Sequence, residues 1–480
     1  MSRASHPASD DPLMLSVSGL RGLMGRSLTP PLAARYAAAL GGWFRRRRQG
    51  DATEAGPDDG VLPRILIGRD GRVGGDIIEL AVCSGLMAAG CDVTCLGIAS
   101  TPAVGVMVDH LEADGGVIIT ASHNPIEWNG IKVLGGDGAA PPAHEAAEII
   151  DRFHNFADRP APWAGLERLG RRDEDGHAAA THVQRVLEQV EVERVRAARL
   201  RVVVDSVCGA GGHEAHALLD ALGVELIHMH AEPTGRFPHP PEPTAAHLGE
   251  LCRAVPAHDA HLGFAQDPDA DRLAIVDRHG RYIGEEYTLA LAALHVLEHS
   301  DNPAAATLAA NLSTSRMIDD IAAAAGARVL RTPVGEANVV QAMQREGCIL
   351  GGEGNGGVIY PPVCLIRDSL TAMAFTLELL AVRGRPLDAI VDSLPRYAIV
   401  KDKLDARPDL LDRLPALMEA AFPGQRVDRQ DGLRIDLPDG WVHIRPSNTE
   451  PIIRIIAEAP DEPAAKGLIE QTRAVLAGGG

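Results

Sequence analysis

Three stretches of the chain repeat one order of apolar and polar positions. The apolar run Ile65-Leu66-Ile67 leads into Gly68-Arg69-Asp70-Gly71, a helical stretch ending at Ala88-Ala89-Gly90, and then Cys91-Asp92-Val93. Val202-Val203-Val204 leads in the same way through Asp205-Ser206 and Cys208-Gly209-Ala210-Gly211-Gly212 to Ala221-Leu222-Gly223 and Val224-Glu225-Leu226. The third copy runs from Thr307-Leu308-Ala309-Ala310 through Asn311-Leu312-Ser313-Thr314-Ser315 to Ala325-Gly326 and Ala327-Arg328-Val329. An apolar run bounded by turn residues reads as a buried strand, and an amphipathic stretch stopped by Gly reads as a helix. Each copy is therefore predicted to be a β-α-β unit of a parallel or mixed sheet, with ligands expected where loops leave the strands.

Beyond about Tyr397 the period changes. Leu433–Leu437 and Trp441–Arg445 alternate apolar and polar residues, as half-exposed antiparallel strands do. Asp439-Gly440 between them is a hairpin signal, and Glu462–Leu476 predicts a closing helix. The expected architecture is α/β: three similar mixed-sheet α/β domains plus a smaller C-terminal α+β domain. Their expected bounds are 1–165, 177–282, 283–396 and 397–480. Linkers are expected at His154–Gly176 and Gly384–Tyr397, and Asp51–Gly60 reads as a mobile surface loop.

Composition narrows the function classes. A chain of 480 residues suits about three domains, and 45% hydrophobic with 23% charged residues is an ordinary globular balance. Aromatics at 3% leave few platforms for stacking bases, and a net charge of −19 repels a phosphate backbone. No nucleic-acid partner is expected. Arg45-Arg46-Arg47-Arg48 reads instead as cations at a helix C-terminus. Seven scattered cysteines without paired CxxC motifs read as reduced core residues. Met1–Pro12 lacks the apolar stretch of a signal peptide, and no run of ~20 apolar residues spans a membrane. A cytoplasmic protein is expected, with its oligomeric state left open.

Four loops carry candidate chemistry. Thr120-Ala121-Ser122-His123-Asn124-Pro125 follows the apolar run Val117–Ile119. A serine at a strand end could be a nucleophile or phosphate carrier, with His123 and Lys132 supplying a proton route and positive charge. The same residue types also simply form loops. Asp267-Pro268-Asp269-Ala270-Asp271-Arg272 crowds three carboxylates, which calls for a hard cation such as Mg²⁺ between them. An EF-hand is excluded, because Arg272 and Arg278 stand where Gly and Glu would be needed. Gly351–Gly357 carries Glu353 and Asn355 on a flexible platform that could grip a polyol, although glycine-rich loops also serve many turns. Arg445-Pro446-Ser447-Asn448-Thr449-Glu450-Pro451, with Arg454 beyond it, could cradle a phosphate or be a solvated loop. Together the four supply what moving a phosphoryl group between sugar hydroxyls requires: neutralised charge and a fixed substrate.

On these motifs, together with Ser18-Gly19-Leu20-Arg21-Gly22 and Asn129-Gly130-Ile131-Lys132, the chain resembles the α-D-phosphohexomutase family over nearly its whole length. The family comprises phosphoglucomutases, phosphomannomutases and phosphoglucosamine mutases. The resemblance implies four domains around a central cleft and reversible transfer of phosphate between C1 and C6 of a hexose phosphate. It implies phosphoserine at Ser122, a hexose 1,6-bisphosphate intermediate, and Mg²⁺ held by Ser122, Asp267, Asp269 and Asp271. Arg21, Lys132 and Arg272 would neutralise the travelling group. Glu353 and Asn355 would contact sugar hydroxyls, while Arg445, Ser447, Asn448, Thr449 and Arg454 would hold the other phosphate.

Two departures set this chain apart within that resemblance. Glu336 stands where many bacterial members have His, which makes it the candidate acid/base. Asn355-Gly356-Gly357 replaces Ser-Gly-His and is similar to archaeal-type members. Phosphoglucosamine mutase is the favoured expectation, with phosphomannomutase/phosphoglucomutase as the alternative. Two rivals from other classes remain: a haloacid-dehalogenase-like phosphatase with Asp267 as nucleophile, and a non-catalytic sugar-phosphate binder. The phosphatase would need a downstream acidic pair and a Lys, which the sequence does not offer.

Overall fold

A computed structural model describes residues 11–49, 61–156, 163–405, 408–446 and 452–478. The acidic segment Asp51–Gly60 lies outside them. Two compact units divide the chain, one of Met1–Tyr282 with Tyr360–Ala374 and the other of Ile283–Ile359 with Phe375–Gly480.

The first unit holds two sheets. One contains β1 (Leu13–Ser16), β2 (Gly19–Leu23), β3 (Arg64–Arg69), β4 (Asp92–Ile98), β5 (Gly115–Ile119), β6 (Trp128–Leu134) and β7 (Arg172–Glu174), in the order β1-β2-β6-β5-β3-β4-β7. The other contains β8 (Arg201–Asp205), β9 (Glu225–Met229), β10 (Leu262–Gln266) and β11 (Leu273–Asp277), ordered β11-β10-β8-β9. The second unit also holds two. In one, β12 (Thr307–Asn311), β13 (Arg328–Thr332), β14 (Leu350–Glu353) and β15 (Gly357–Ile359) run β13-β12-β14-β15. In the other, β16 (Ala398–Asp405), β17 (Arg426–Asp428), β18 (Leu433–Leu437), β19 (Gly440–Pro446) and β20 (Ile452–Ala459) run β16-β20-β19-β18-β17.

The three α/β sheets share one plan. The strand before the repeat helix pairs in parallel with the strand after it: β3 with β4, β8 with β9, β12 with β13. On its other side it pairs in parallel with a third strand: β5, β10 and β14 respectively. That third strand then turns back antiparallel onto a fourth, giving the hairpins β5–β6, β10–β11 and β14–β15. The apolar runs suit these positions, since the interior strands β5, β10 and β12 are buried along their whole length, as is β11 at the edge of its sheet. Side chains on both faces are thus removed from water, the main stabilising term in such sheets. In the first sheet, Leu40, Trp43 and Phe44 of the helix Pro30–Gln49 share a core with Ile65, Ile67, Val117 and Ile119. Arg46 and Arg47 in the last turn of that helix pair with Glu148 and Glu145, and Arg48 lies 2.8 Å from Asp114.

Three expectations need correction. The hairpin turn of the last sheet is Pro438-Asp439, because Gly440 is already the first residue of β19 and pairs with Leu437. Gly440 is there for packing: a Cβ would collide with the Glu458 carbonyl on the neighbouring strand. The His154–Gly176 linker contains an edge strand, with Arg172 opposite Val93 in parallel pairing. The Gly384–Tyr397 linker contains the helix Leu387–Val391, which buries Leu387, Ile390 and Val391. None of the seven cysteines forms a disulfide, and Cys83, Cys91, Cys95, Cys348 and Cys364 are buried. Among the described residues no helix is long and apolar enough to cross a membrane.

Candidate active site

Ser122 lies in the turn between β5 and β6 with a left-handed φ of 51°, a conformation that costs a non-glycine residue about 1–3 kcal/mol and is kept only where surroundings enforce it. The surroundings do so here. Ser122 N–H donates to Thr120 Oγ1 at 2.8 Å, and Thr120 donates in turn to Asp70 Oδ2 at 2.7 Å. Arg72, fully buried, donates through Nη2 to the carbonyls of Ser122 (2.5 Å) and Asn124 (2.7 Å). Its Nη1 donates to the carbonyls of Pro125 (2.8 Å) and Trp128 (3.0 Å), while Asp70 accepts from Nε at 3.1 Å. One guanidinium thus spans the whole turn. Neither Arg72 nor Asp70 was assigned a role from sequence, although both sit in the charged loop directly after a buried strand.

The turn between β10 and β11 carries the three aspartates. Asp267, Asp269 and Asp271 are buried, and one ligating oxygen from each lies within 4.8 Å of the others. The Ser122 hydroxyl donates to Asp267 Oδ2 at 3.1 Å, and His123 Nδ1 is 3.3 Å from the same hydroxyl. Asp271 and Arg272 N–H groups donate to Asp267 Oδ1 at 3.1 Å, folding the turn around that carboxyl. Lys132 on β6 places Nζ 2.5 Å from Asp269 and 3.4 Å from Asp271. Arg21 on β2 donates to Asn124 Oδ1 at 2.9 Å. Arg272 lies 3.9 Å from Asp271 and 3.7 Å from Glu242.

Electrostatics follow from burial and crowding. Burial first, then the charges of Asp271 and Asp269, push the Asp267 carboxyl well above its usual range. Burial also opposes ionisation of Asp269 and Asp271, but Lys132 at the former and Arg367 at the latter outweigh it and hold both low. Burial and the cations Arg272 and Arg21 drive His123 well below ordinary histidine. His123 is therefore neutral at pH 7, and its 4.0 Å approach to Glu242 is no ion pair. The donor set suits a hard dication. All ligating atoms are oxygens, and Asp269 Oδ1 and Asp271 Oδ1 are buried with no hydrogen-bond partner among the described residues.

Other residues escaped sequence reasoning because their partners are far away along the chain. Arg367 donates to Asp271 Oδ2 at 2.6 Å, and Thr101 donates to Asp269 Oδ2 at 2.6 Å. Behind them, Ser100 donates to Glu214 at 2.6 Å, and buried His182 bridges Glu214 (3.1 Å) and Asp368 (3.0 Å).

In the second unit, Glu353 ends β14 and is buried. Its Oε1 accepts from Asn311 Nδ2 at 2.8 Å and Gly335 N at 3.1 Å, and its Oε2 from Asn355 Nδ2 at 3.3 Å. Asn355 Oδ1 is buried without a partner among the described residues. Glu336 opens the helix Glu336–Glu346, next to Gly335. Glu286, missed from sequence, accepts from Ser315 N at 2.9 Å and is pushed up to about 8 by burial. Arg445 and Arg454 are cross-strand partners on β19 and β20, and Arg445 lies 2.8 Å from Asp431. Ser447, Asn448 and Thr449 fall outside the described residues.

A buried serine against a cluster of three acids whose oxygens suit a hard dication is an arrangement fitted to phosphoryl chemistry. Comparison with known proteins identifies the family. Residues 14–159, 180–280 and 285–397 match α/β/α domains I, II and III of phosphoglucomutase/phosphomannomutase, and 398–475 match its C-terminal domain. A probable phosphoglucosamine mutase of Methanopyrus kandleri is 37% identical, with 95% of each chain covered. A phosphoglucomutase/phosphomannomutase of Thermococcus kodakarensis is 36% identical over 94% of this chain and 96% of the other. The crystal structure of a phosphoglucomutase/phosphomannomutase family protein from Burkholderia thailandensis superposes with a TM-score of 0.81 at 29% identity, covering 96% of this chain and 98% of that one. The chain belongs to the phosphoglucomutase/phosphomannomutase family and is a phosphohexomutase, an intramolecular phosphotransferase.

Proposed function

We propose that Ser122 is the phosphoryl carrier and that the substrate is glucosamine phosphate, interconverted between its 6- and 1-phosphates through a hexose 1,6-bisphosphate. The observation that carries the carrier assignment is the strained, buried Ser122 hydroxyl 3.1 Å from Asp267 in a cluster of three acids. Phosphoserine passes its phosphoryl group to the free hydroxyl of the bound hexose monophosphate, and the other phosphate of the resulting bisphosphate returns to the Ser122 oxygen. Arg21, Lys132 and Arg272 neutralise the travelling group, and Arg367 joins them through Asp271. His123 relays the proton on Ser122 Oγ, accepting it as a neutral ring when phosphate returns and giving it back as imidazolium when the phosphoryl group next leaves, and Glu336 takes the proton of the attacking sugar hydroxyl and returns it to the oxygen from which the other phosphate departs. Glu353 and Asn355 bind sugar hydroxyls, while Arg445, Ser447, Asn448, Thr449 and Arg454 hold the non-reacting phosphate. Asp267, Asp269, Asp271 and the phosphoserine would hold Mg²⁺, which when bound supplies charge neutralisation at the phosphoryl group. The chain is divided into working domains at 1–165, 177–282, 283–396 and 397–480, and it acts in the cytoplasm, a setting that suits seven cysteines without a disulfide.

The names of the relatives support the amino sugar, since that of Methanopyrus kandleri is a probable phosphoglucosamine mutase. The relative from Thermococcus kodakarensis keeps phosphomannomutase/phosphoglucomutase activity as the second reading. Turnover on glucosamine 6-phosphate, mannose 1-phosphate and glucose 1-phosphate separates the two. Intact mass and peptide mapping test the carrier: one phosphate on Ser122, absent from Ser122→Ala together with all conversion. An acyl phosphate on Asp267 would instead make the enzyme a phosphatase and overturn the reading.

A further inference from the structure

A second cluster of metal-ligating side chains lies on the carboxyl edge of the β8–β9 pair, built from residues that the proposed mechanism does not use. Asp205 ends β8, His230 follows β9, and His239 comes from the loop beyond it; one donor atom from each lies within 4.8 Å of the others. Asp205 Oδ1 is 3.1 Å from His230 Nδ1, and Asp205 Oδ2 is 2.9 Å from His239 Nε2. His239 Nδ1 is 2.9 Å from the Pro240 carbonyl, and His230 Nε2 faces Glu250 at 3.9 Å, beyond hydrogen-bond range.

Each ring presents one nitrogen to the same carboxylate, one to each of its oxygens. A single dication among them would take all three donors at once. The spacing agrees. Metal–nitrogen bonds of about 2.0–2.1 Å place neighbouring tetrahedral ligands roughly 3.3 Å apart. The two rings are also unstacked, with centroids 6.0 Å apart and planes at 73°, so both can aim an edge at one point. Asp205 Oδ1 further accepts from Val207 N at 2.9 Å, the kind of outer contact that orients a ligating carboxylate.

We propose that Asp205, His230 and His239 bind a transition-metal dication, with Zn²⁺ the ion best matched to two imidazoles and a carboxylate, at a site separate from the three-aspartate cluster. Its role is positional. The loop that supplies His239 also places Phe237 under the Arg72 guanidinium, 4.8 Å away, and Glu242 opposite Arg272 at 3.7 Å. An ion at His239 therefore anchors the segment that backs the Ser122 turn.

The test uses the full-length, tag-free enzyme, stripped with chelator and titrated with Co²⁺ in millimolar Mg²⁺, so that Mg²⁺ occupies the oxygen-only site. One equivalent of Co²⁺ with the visible absorption of a low-coordinate nitrogen-bearing site is expected. His230→Gln and His239→Gln should each weaken it more than about a hundredfold, the upper end of what losing an outer-shell partner costs. Asp269→Asn should keep the signal, as should His299→Gln in the separate His295–His299–Glu378 cluster. Zn²⁺ X-ray absorption of the unaltered enzyme, which needs no variant to fold, should count two imidazoles. An all-oxygen shell, no bound Co²⁺ in Mg²⁺, or undiminished binding by a folded His239→Gln protein overturns the proposal and leaves two imidazoles hydrogen-bonded to Asp205.

Discussion

Replacing Arg72 by lysine tests whether the backbone geometry of the Ser122 turn is a working part of the enzyme. Arg72, its side chain fully buried, donates to the carbonyls of Ser122, Asn124, Pro125 and Trp128 and to Asp70; the bonds to Ser122 and Asp70 are buried and the other three part-buried. Hydrogen bonds from a charged donor are worth about 1.5–3 kcal/mol each, and leaving buried acceptors unpaired costs a similar amount. Arg72→Ala would forfeit five such bonds and should unfold the turn, if not the domain. Arg72→Lys is the more informative change. It keeps the charge opposite Asp70, but a single ammonium offers three donors from one point and cannot reproduce a planar fork. At least two of the four carbonyls then lose their donor. The strain at Ser122, about 1–3 kcal/mol, is no longer enforced and the residue relaxes. If about 2 kcal/mol of positioning is lost at the reacting oxygen, kcat falls roughly 30-fold. KM should change little, since Arg72 faces the turn from behind. The assay is steady-state conversion of glucosamine 6-phosphate, with circular dichroism confirming the fold and intact mass giving Ser122 phosphate occupancy. Folded Arg72→Lys enzyme with unaltered kcat would refute the reasoning.

Two further changes probe the same unit. Burial by itself lowers the His182 pKa, but Asp368 and Glu214 overcome this and push it up to about 10; because the folded value lies above the unfolded one, the stability it contributes is full below about pH 6.5 and is lost as pH rises towards 10. Urea midpoints of the wild type should therefore fall between pH 7 and 10, while His182→Gln starts lower and shows a flatter profile; parallel profiles would contradict the buried imidazolium. Gly209→Ala would drive a Cβ to 2.5 Å from the Pro268 carbonyl, inside the aspartate turn; overpacking of this kind costs about 1–3 kcal/mol, so a lower Tm and weaker activation by Mg²⁺ are expected, and an unchanged Mg²⁺ requirement would show that the turn absorbs the methyl group.

Much of this was legible in the sequence because it is written locally. Apolar runs, stop glycines and the serine, aspartate and glycine loops all sit within short windows, and the structure brings Ser122, Lys132 and the three aspartates together. What was not legible depends on distant partners. Arg72 looks like an ordinary loop arginine until the carbonyls of 122–128 close over it, and Arg367 is unremarkable until it meets Asp271, 96 residues away in sequence. The edge strand Arg172–Glu174 is exposed at every position and so carries no apolar signal. At Asp439-Gly440 a strong turn dipeptide misled, because Gly440 answers to the backbone of Glu458 across the sheet rather than to the turn.

The hairpins β5–β6, β10–β11 and β14–β15 occupy the same place in three sheets, and their turns present Ser122, the three aspartates and the Glu353–Asn355 pair. On the assignments proposed above, the ester carrier, the ion holder and the sugar reader occupy equivalent turns of one repeated plan, each copy free to specialise on its own scaffold. Sugar preference can then drift by rewriting 354–356 while the transfer chemistry is inherited unchanged. A family whose members differ in the hexose they accept is what such a division of labour would leave behind.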